Sequence, residues 1–257
     1  INSGLSSSSA LTIVWINFLF AAFSVKRITP DEIALLAYEA EVIEQQSSGG
    51  KMDHFSIALG NTIYLDTKTD IVTSYKKVDL ELIVGVSGLE KDTLGSLAHL
   101  KSNALKAIKQ VQNKIPNFEI GNSKEENIKE ILNLTQDNLK PYLYAAIKNH
   151  SITLAAKKEF EKKKLDQKSI GKLMNQHHFI LKNYLKITTP LIDKMIYSAN
   201  KSGALGCKIV GSGGGGCIVV IADKNNKEKI INSILATGSK DAFEVNISNG
   251  ATVKNTI

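Results

Sequence analysis

The amino-acid sequence predicts an α+β fold, and three observations lead there. Two short strand-like stretches, TIYLD and LELIVGVS, stand close to two helical patterns in the first part of the chain. After Asp92 helix-period apolar residues dominate for a long way. The last part alternates strand, glycine loop, strand, helix and strand, in the segments CKIV, GSGGGG, CIVVIAD, KEKIINSILAT and AFEVNI.

Each element has a local reason. Residues 6–25 read as a helix with a serine-rich first turn, where hydroxyls can satisfy free backbone N–H groups. Its run LTIVWINFLFAAFSV, Leu11 to Val25, is short for a membrane span, contains Asn17 and follows polar serines, so a buried helix is expected and no membrane partner. Thr29, Pro30, Asp31 and Glu32 start a second helix, with Pro at the first position and acids at the positive end. Ile33, Leu36, Ala37 and Ala40 form its apolar face, and it stops at Ser47 to Gly50. KMDHFSIALG continues as a short helix, and Asn61 leads into the strand TIYLD. Leu94 to Lys114, Glu125 to Leu139 and Tyr142 to Lys164 carry helical patterns, as do SIGKLMNQHHFILKNYL and the segment capped ahead of Pro190. The break near Pro116 suggests domains 1–115 and 116–257, although a simple helix connection is equally cheap.

Composition narrows the function classes. With 257 residues, 32 Lys and Arg against 25 Asp and Glu, the chain has a formal charge of +7, which favours anionic partners without naming one. The basic residues are dispersed, so no nucleic-acid interface is expected. Cys207 and Cys217 sit at apolar positions and read as buried thiols, fitting a reducing, cytoplasmic setting. The chain opens as INSGLSSSSALTIV, without an initiator Met, and residues upstream of that turn are expected.

Two stretches of bare backbone suit phosphate. SGLSSSSAL places small residues before a helix, where N–H groups and the positive dipole end attract phosphate oxygens, although a serine-rich turn is more often a cap. Five of the six residues from Gly211 to Gly216 are glycine, which suits either phosphate or a tight turn between strands. Asp53 follows glycines and precedes an apolar stretch: it can accept a proton from a substrate hydroxyl, or cap the helix that follows. Lys51 can balance that carboxylate, touch phosphate or be solvated, and His54 suits the core as well as a substrate contact. Glu39 lies near the apolar face of its helix, where an unpaired acid is costly, so it pairs, binds metal or is exposed. His177 and His178 are adjacent on a helix and lack a third ligand, which argues against zinc.

These segments together resemble the GHMP kinase superfamily, which includes galactokinase, homoserine kinase, mevalonate kinase and phosphomevalonate kinase. SGLSSSSA is similar to its second motif, the phosphate loop opening a long helix. By that likeness Gly4, Leu5, Ser6, Ser7, Ser8 and Ser9 cradle the triphosphate of ATP, and Ser8 with Glu39 holds Mg²⁺. GGKMDHF resembles the galactokinase stretch around the catalytic aspartate, which falls on Asp53, with His54 in place of a glutamine and Lys51 in place of an apolar residue. GALGCKIVGSGGGGC is similar to the third motif and is spelled more like mevalonate kinase, whereas MDHF and LGNTIYLDT are nearer to galactokinase; Gly213 and Gly214 are its ATP-binding residues.

The resemblance implies a ribosomal-protein-S5-domain-2-like N-terminal domain lacking its first strands, a ferredoxin-like C-terminal domain and an active site in the cleft between them. It implies an ATP-dependent phosphotransferase acting on a small-molecule alcohol, a sugar in the galactokinase manner or mevalonate, with a homodimer as an allowed assembly. A non-catalytic nucleotide- or sugar-binding homologue stays open, because the family's first motif, upstream of the phosphate loop, is not in the given sequence.

Overall fold

The computed structural model describes residues 5–23, 28–76, 78–90, 93–123 and 125–254. Contacts divide the chain into two compact units, Ile1–Asp79 with Asn246–Ile257, and Leu80–Val245.

In the first unit, α1 (Ser7–Phe23), α2 (Pro30–Tyr38) and α3 (Met52–Leu59) pack around Ile13, Ile33, Ala34, Ala37, Phe55 and Ala58. The start of α2 follows from its sequence. Thr29 Oγ1 accepts from the Glu32 N–H at 3.2 Å and the Glu32 carboxylate accepts from the Thr29 N–H at 2.8 Å, a reciprocal capping box. The helix then widens into one π-helical turn, Glu39–Ile43, closed by the Glu44 N–H on the Glu39 carbonyl at 2.9 Å. After α3 come β1 (Thr62–Asp66) and β2 (Ile71–Tyr75), an antiparallel pair with Tyr64 opposite Thr73. The chain's last part returns to this unit, where the Asn61 N–H donates to the Ser248 carbonyl at 2.7 Å and the Ala251 N–H to that of Ile57 at 3.0 Å.

The second unit is built on an antiparallel sheet of β3 (Leu82–Val86), β4 (Gly206–Ile209), β5 (Cys217–Ile221) and β6 (Asp241–Val245), in the order β4-β5-β3-β6. Val84 lies opposite Val219 on one side and Phe243 on the other. With α8 (Pro190–Lys201) before β4 and α9 (Lys227–Leu235) before β6, this is the strand order of a ferredoxin-like unit. Ile83, Ile192, Met195, Ile209, Ile218, Ile230 and Ile234 form its core. Between β3 and α8 the chain inserts α4 (Thr93–Gln112), α5 (Ile128–Leu132), α6 (Lys140–Phe160) and α7 (Gln167–Asn183). Ala107, Val111, Leu143 and Ile147 belong to a separate cluster there.

Four expectations differ from this architecture. The expected boundary at 115/116 would cut β3 and α4 away from the unit in which they pack; the seam in the contacts falls at Asp79/Leu80. The helix expected over 125–139 is a single 3₁₀ turn, Glu125–Asn127, followed by the short α5. It ends because Gln110 Oε1 accepts from Thr135 Oγ1 at 2.6 Å and from the Gln136 N–H at 2.9 Å, a tertiary partner that outcompetes helix continuation. The strand β2 was not expected. Its register is set by a turn in which Asp66 Oδ1 accepts from the Lys68 N–H at 2.9 Å and Asp70 takes φ +58°. Finally, α1 is not a buried helix: Ser9 and Ile13 are buried, while Trp15 is 60% and Phe23 79% exposed. Among the described residues no helix is long and apolar enough to cross a membrane.

Candidate functional site

The first unit gathers its chemistry at the start of α1. Ser6 takes φ +55°, which turns the chain into the helix, and its carbonyl accepts the Ala10 N–H at 3.0 Å. Leu5 and Ser8 are exposed, Ser6 and Ser7 are half-buried, and Ser9 is buried. Gly4 lies outside the described residues. The turn therefore presents small side chains at the positive end of a 17-residue helix.

The acid beside Ser8 is Glu41, not Glu39. The Ser8 hydroxyl donates to Glu41 Oε1, while Glu41 Oε2 lies 2.9 Å from His54 Nε2. Glu39 is exposed. Both glutamates lie in the π-helical turn Glu39–Ile43. His54, 2% exposed, is the buried hydrogen-bonded residue of the two readings open in the sequence. With a carboxylate as acceptor its Nε2 carries the proton, leaving Nδ1 buried with no hydrogen-bond partner among the described residues.

Asp53 stands one residue before His54, in the first turn of α3, half-buried and with no hydrogen-bond or ion-pair partner among the described residues. It is not the cap: the helix starts at Met52, and Lys51 occupies the capping position without a side-chain bond to the helix's free N–H groups. Lys51 does not balance Asp53 either. Its ammonium sits 2.7 Å from both carboxylate oxygens of Asp70 in the β1–β2 turn, and 5.4 Å from the centroid of the Tyr38 ring.

The glycine loop belongs to the second unit and joins β4 to β5. All five glycines have positive φ. A Cβ on Gly213 would come within 2.4 Å of the Ile187 carbonyl oxygen, so packing alone demands glycine there. At Gly214 nothing lies within 4 Å of such a Cβ, and its N–H is already given to the Ile187 carbonyl at 2.8 Å. Ser212 is buried and its hydroxyl has no hydrogen-bond partner among the described residues.

Elsewhere in that unit, burial pushes the imidazoles of His177 and His178 down to about 4, with Lys208 adding to the effect. Cys207 and Cys217 are buried thiols, neither of them in a disulfide among the described residues, and burial pushes Cys207 up to about 12. Among the described residues no group of three or more His, Cys, Asp and Glu could hold a metal ion. A depression of about 420 Å³ is lined by Asn103, Lys106, Lys109, Gln110, Gln136, Asn138 and Leu139, none of them in the serine turn, α3 or the glycine loop.

The chain belongs to the GHMP kinases: the model of their N-terminal domain matches residues 1–61 and that of their C-terminal domain residues 156–240. It is 27% identical over 228 residues to a mevalonate kinase of Thermococcus sibiricus, covering 89% of this chain and 59% of that one. It is 29% identical over 266 residues to a galactokinase of Clostridium acetobutylicum, covering 97% of this chain and 67% of that one. Among solved structures, Lactococcus lactis galactokinase complexed with galactose superposes with a TM-score of 0.86 at 22% identity, covering 98% of this chain and 68% of that one. The chain thus spans roughly three fifths to two thirds of the length of these relatives.

Proposed function

We propose that residues 1–257 are the larger part of an ATP-dependent kinase that transfers the γ-phosphoryl group to a hydroxyl of a sugar. One arrangement carries this reading: Glu41 joins the serine hydroxyl at the start of α1 to His54 of α3, and the neighbouring Asp53 carboxylate is left without a partner among the described residues. The seam between the two domains is proposed at 79/80 rather than 115/116.

In this mechanism the N–H groups and hydroxyls of Leu5 to Ser9, with Gly4, hold triphosphate oxygens. Gly213 and Gly214 of the glycine loop are proposed as further ATP-binding backbone. Asp53 orients the acceptor hydroxyl and takes its proton as the oxygen attacks the γ-phosphorus. One O–P bond forms, the bond from that phosphorus to the β,γ-bridging oxygen breaks, and ADP leaves with the electron pair. The oxygen donors of Ser8 and Glu41 suit a hard cation, and two side chains plus substrate phosphates are an ordinary Mg²⁺ environment. When bound there, Mg²⁺ would neutralise triphosphate charge. His54 holds Glu41 by its second oxygen, which leaves the first to the metal side.

The sugar is supported by the MDHF and LGNTIYLDT segments, which are spelled more like galactokinase. The mevalonate reading is favoured by GALGCKIVGSGGGGC, and the matched relatives include both kinds of enzyme. A reducing, cytoplasmic setting is supported by the two buried thiols. ATP consumption by the whole protein, measured with galactose, other free sugars and mevalonate, separates the readings. Asp53→Asn should lower turnover by about 10²- to 10⁴-fold while ATP still binds. Unchanged turnover would remove Asp53 from this role.

A further inference from the structure

α4 has an apolar face and, next to it, a basic and amide-rich one. Ala107 and Val111 pack with Leu143 and Ile147, whereas Asn103, Lys106, Lys109 and Gln110 recur at helical spacing beside them. Together with Gln136 and Asn138, from the turn ahead of α6, these polar residues line the depression of about 420 Å³ in the second unit. Two ammoniums and four carboxamides thus surround a single apolar side chain, the buried Leu139. The volume suits a small molecule, and the lining rejects an apolar one.

The charge in the depression has one sign. Among the described residues no acid lines it, and Asp137, between Gln136 and Asn138 in the chain, is 94% exposed and held by Lys140 at 2.6 Å. Lys106 and Lys109 are exposed and have no ion-pair partner among the described residues. One turn apart on the same helix, the two cations repel each other, and an anion between them relieves that repulsion.

Solvated lysines alone make no site, but a fixed donor stands beside these. Gln110 Oε1 accepts from Thr135 Oγ1 at 2.6 Å and from the Gln136 N–H at 2.9 Å. A backbone N–H can only donate, so the other end of the Gln110 amide is Nε2, whose two N–H groups have no hydrogen-bond partner among the described residues. Asn103 is anchored in the opposite sense: its Nδ2 lies 3.0 Å from His99 Nε2, which leaves its oxygen as an acceptor. Ammonium and amide N–H groups match phosphate oxygens, and an amide oxygen matches a hydroxyl.

We propose that the depression between α4 and the start of α6 is a binding site for a small phosphorylated polyol, its phosphate held by Lys106, Lys109 and Gln110 Nε2 and a hydroxyl by Asn103. Phosphoryl transfer does not enter, so ATP consumption tests the kinase reading separately.

Titration calorimetry of the whole protein with glycerol 3-phosphate, glucose 6-phosphate, inorganic phosphate and glycerol tests the site. At least one ester should bind more tightly than inorganic phosphate, and glycerol should give no measurable heat. The double variant Lys106→Ala, Lys109→Ala should weaken ester binding by about 10- to 100-fold. Lys101→Ala, Lys172→Ala removes the same charge from exposed positions outside the depression and should change affinity by less than about twofold. Gln110→Glu keeps an oxygen for Thr135 and for the Gln136 N–H but puts a carboxylate where the free donor was, so it should abolish binding with the thermal midpoint unchanged. The proposal is overturned if neither ester binds, or if both bind the Lys106, Lys109 double variant as tightly as the unaltered protein. Equal weakening by the Lys101, Lys172 control also overturns it, because general charge attraction would then account for the binding.

Discussion

Glu41 Oε2 lies 2.9 Å from His54 Nε2, and this pair ties the end of the α2 region to the first turn of α3. The contact holds a glutamate at the serine turn from one side and sits next to Asp53 on the other, so the carboxylates of the site share one support. Glu41→Gln keeps the shape and removes the charge. In the whole protein it should weaken apparent Mg²⁺ affinity or activity by about 10- to 100-fold, whereas Glu39→Gln should change little. Mg²⁺ titration of ATP consumption in both variants decides between the two glutamates.

Lys51 and Asp70 form a part-buried ion pair, with side chains 23% and 30% exposed, between the start of α3 and the β1–β2 turn. Solvent reaches both groups, so Lys51→Met should cost only about 1 kcal/mol. Urea denaturation of Lys51→Met, Asp70→Asn and the double variant should show the two changes to be less than additive. Full additivity would mean that the pair contributes nothing.

His178 is held down to about 4 by burial, partly opposed by Asp193 of α8 and reinforced by Lys182 of α7 and Lys208 of β4. The unfolded chain therefore binds a proton below its ordinary value of 6.5 that the folded chain refuses until about 4. Stability is lost as pH falls through that window and levels off beneath it. Urea midpoints measured across the window should fall with acid, and His178→Gln should flatten the slope. A slope unaffected by that change would assign the effect to other groups.

Gly213 and Gly214 separate two reasons for glycine. Both have positive φ, +81° and +73°, but only Gly213 faces a wall, the Ile187 carbonyl. Gly213→Ala should cost on the order of 3 kcal/mol, combining backbone strain with the displacement of Ile187. Gly214→Ala should cost only about 1–2 kcal/mol, from the left-handed conformation alone. Thermal denaturation of the two variants compares them directly.

Much of this was legible in the chain. The Thr29–Glu32 cap, the short helix around Asp53 and the β4–β5 hairpin each follow from neighbouring residues. Other features were not. Nothing near Glu41 marks its meeting with Ser8, and β2 is a five-residue strand whose pairing depends on the Asp66–Asp70 turn. The segment after α5 has helical spacing, but Gln110 captures its backbone from a distance of 26 residues.

By itself the sequence determined the α+β class, the buried thiols, the phosphate-suited serine turn and the need for glycine between β4 and β5, because caps, periods and dihedral preferences act between near neighbours. Only the tertiary structure decided that Glu41 rather than Glu39 meets Ser8, that Lys51 goes to Asp70, that β3 joins the later sheet and that α1 keeps an open apolar face. Those outcomes depend on which distant groups arrive at the same place, and an apolar or charged residue carries no local mark of the partner that will cover it.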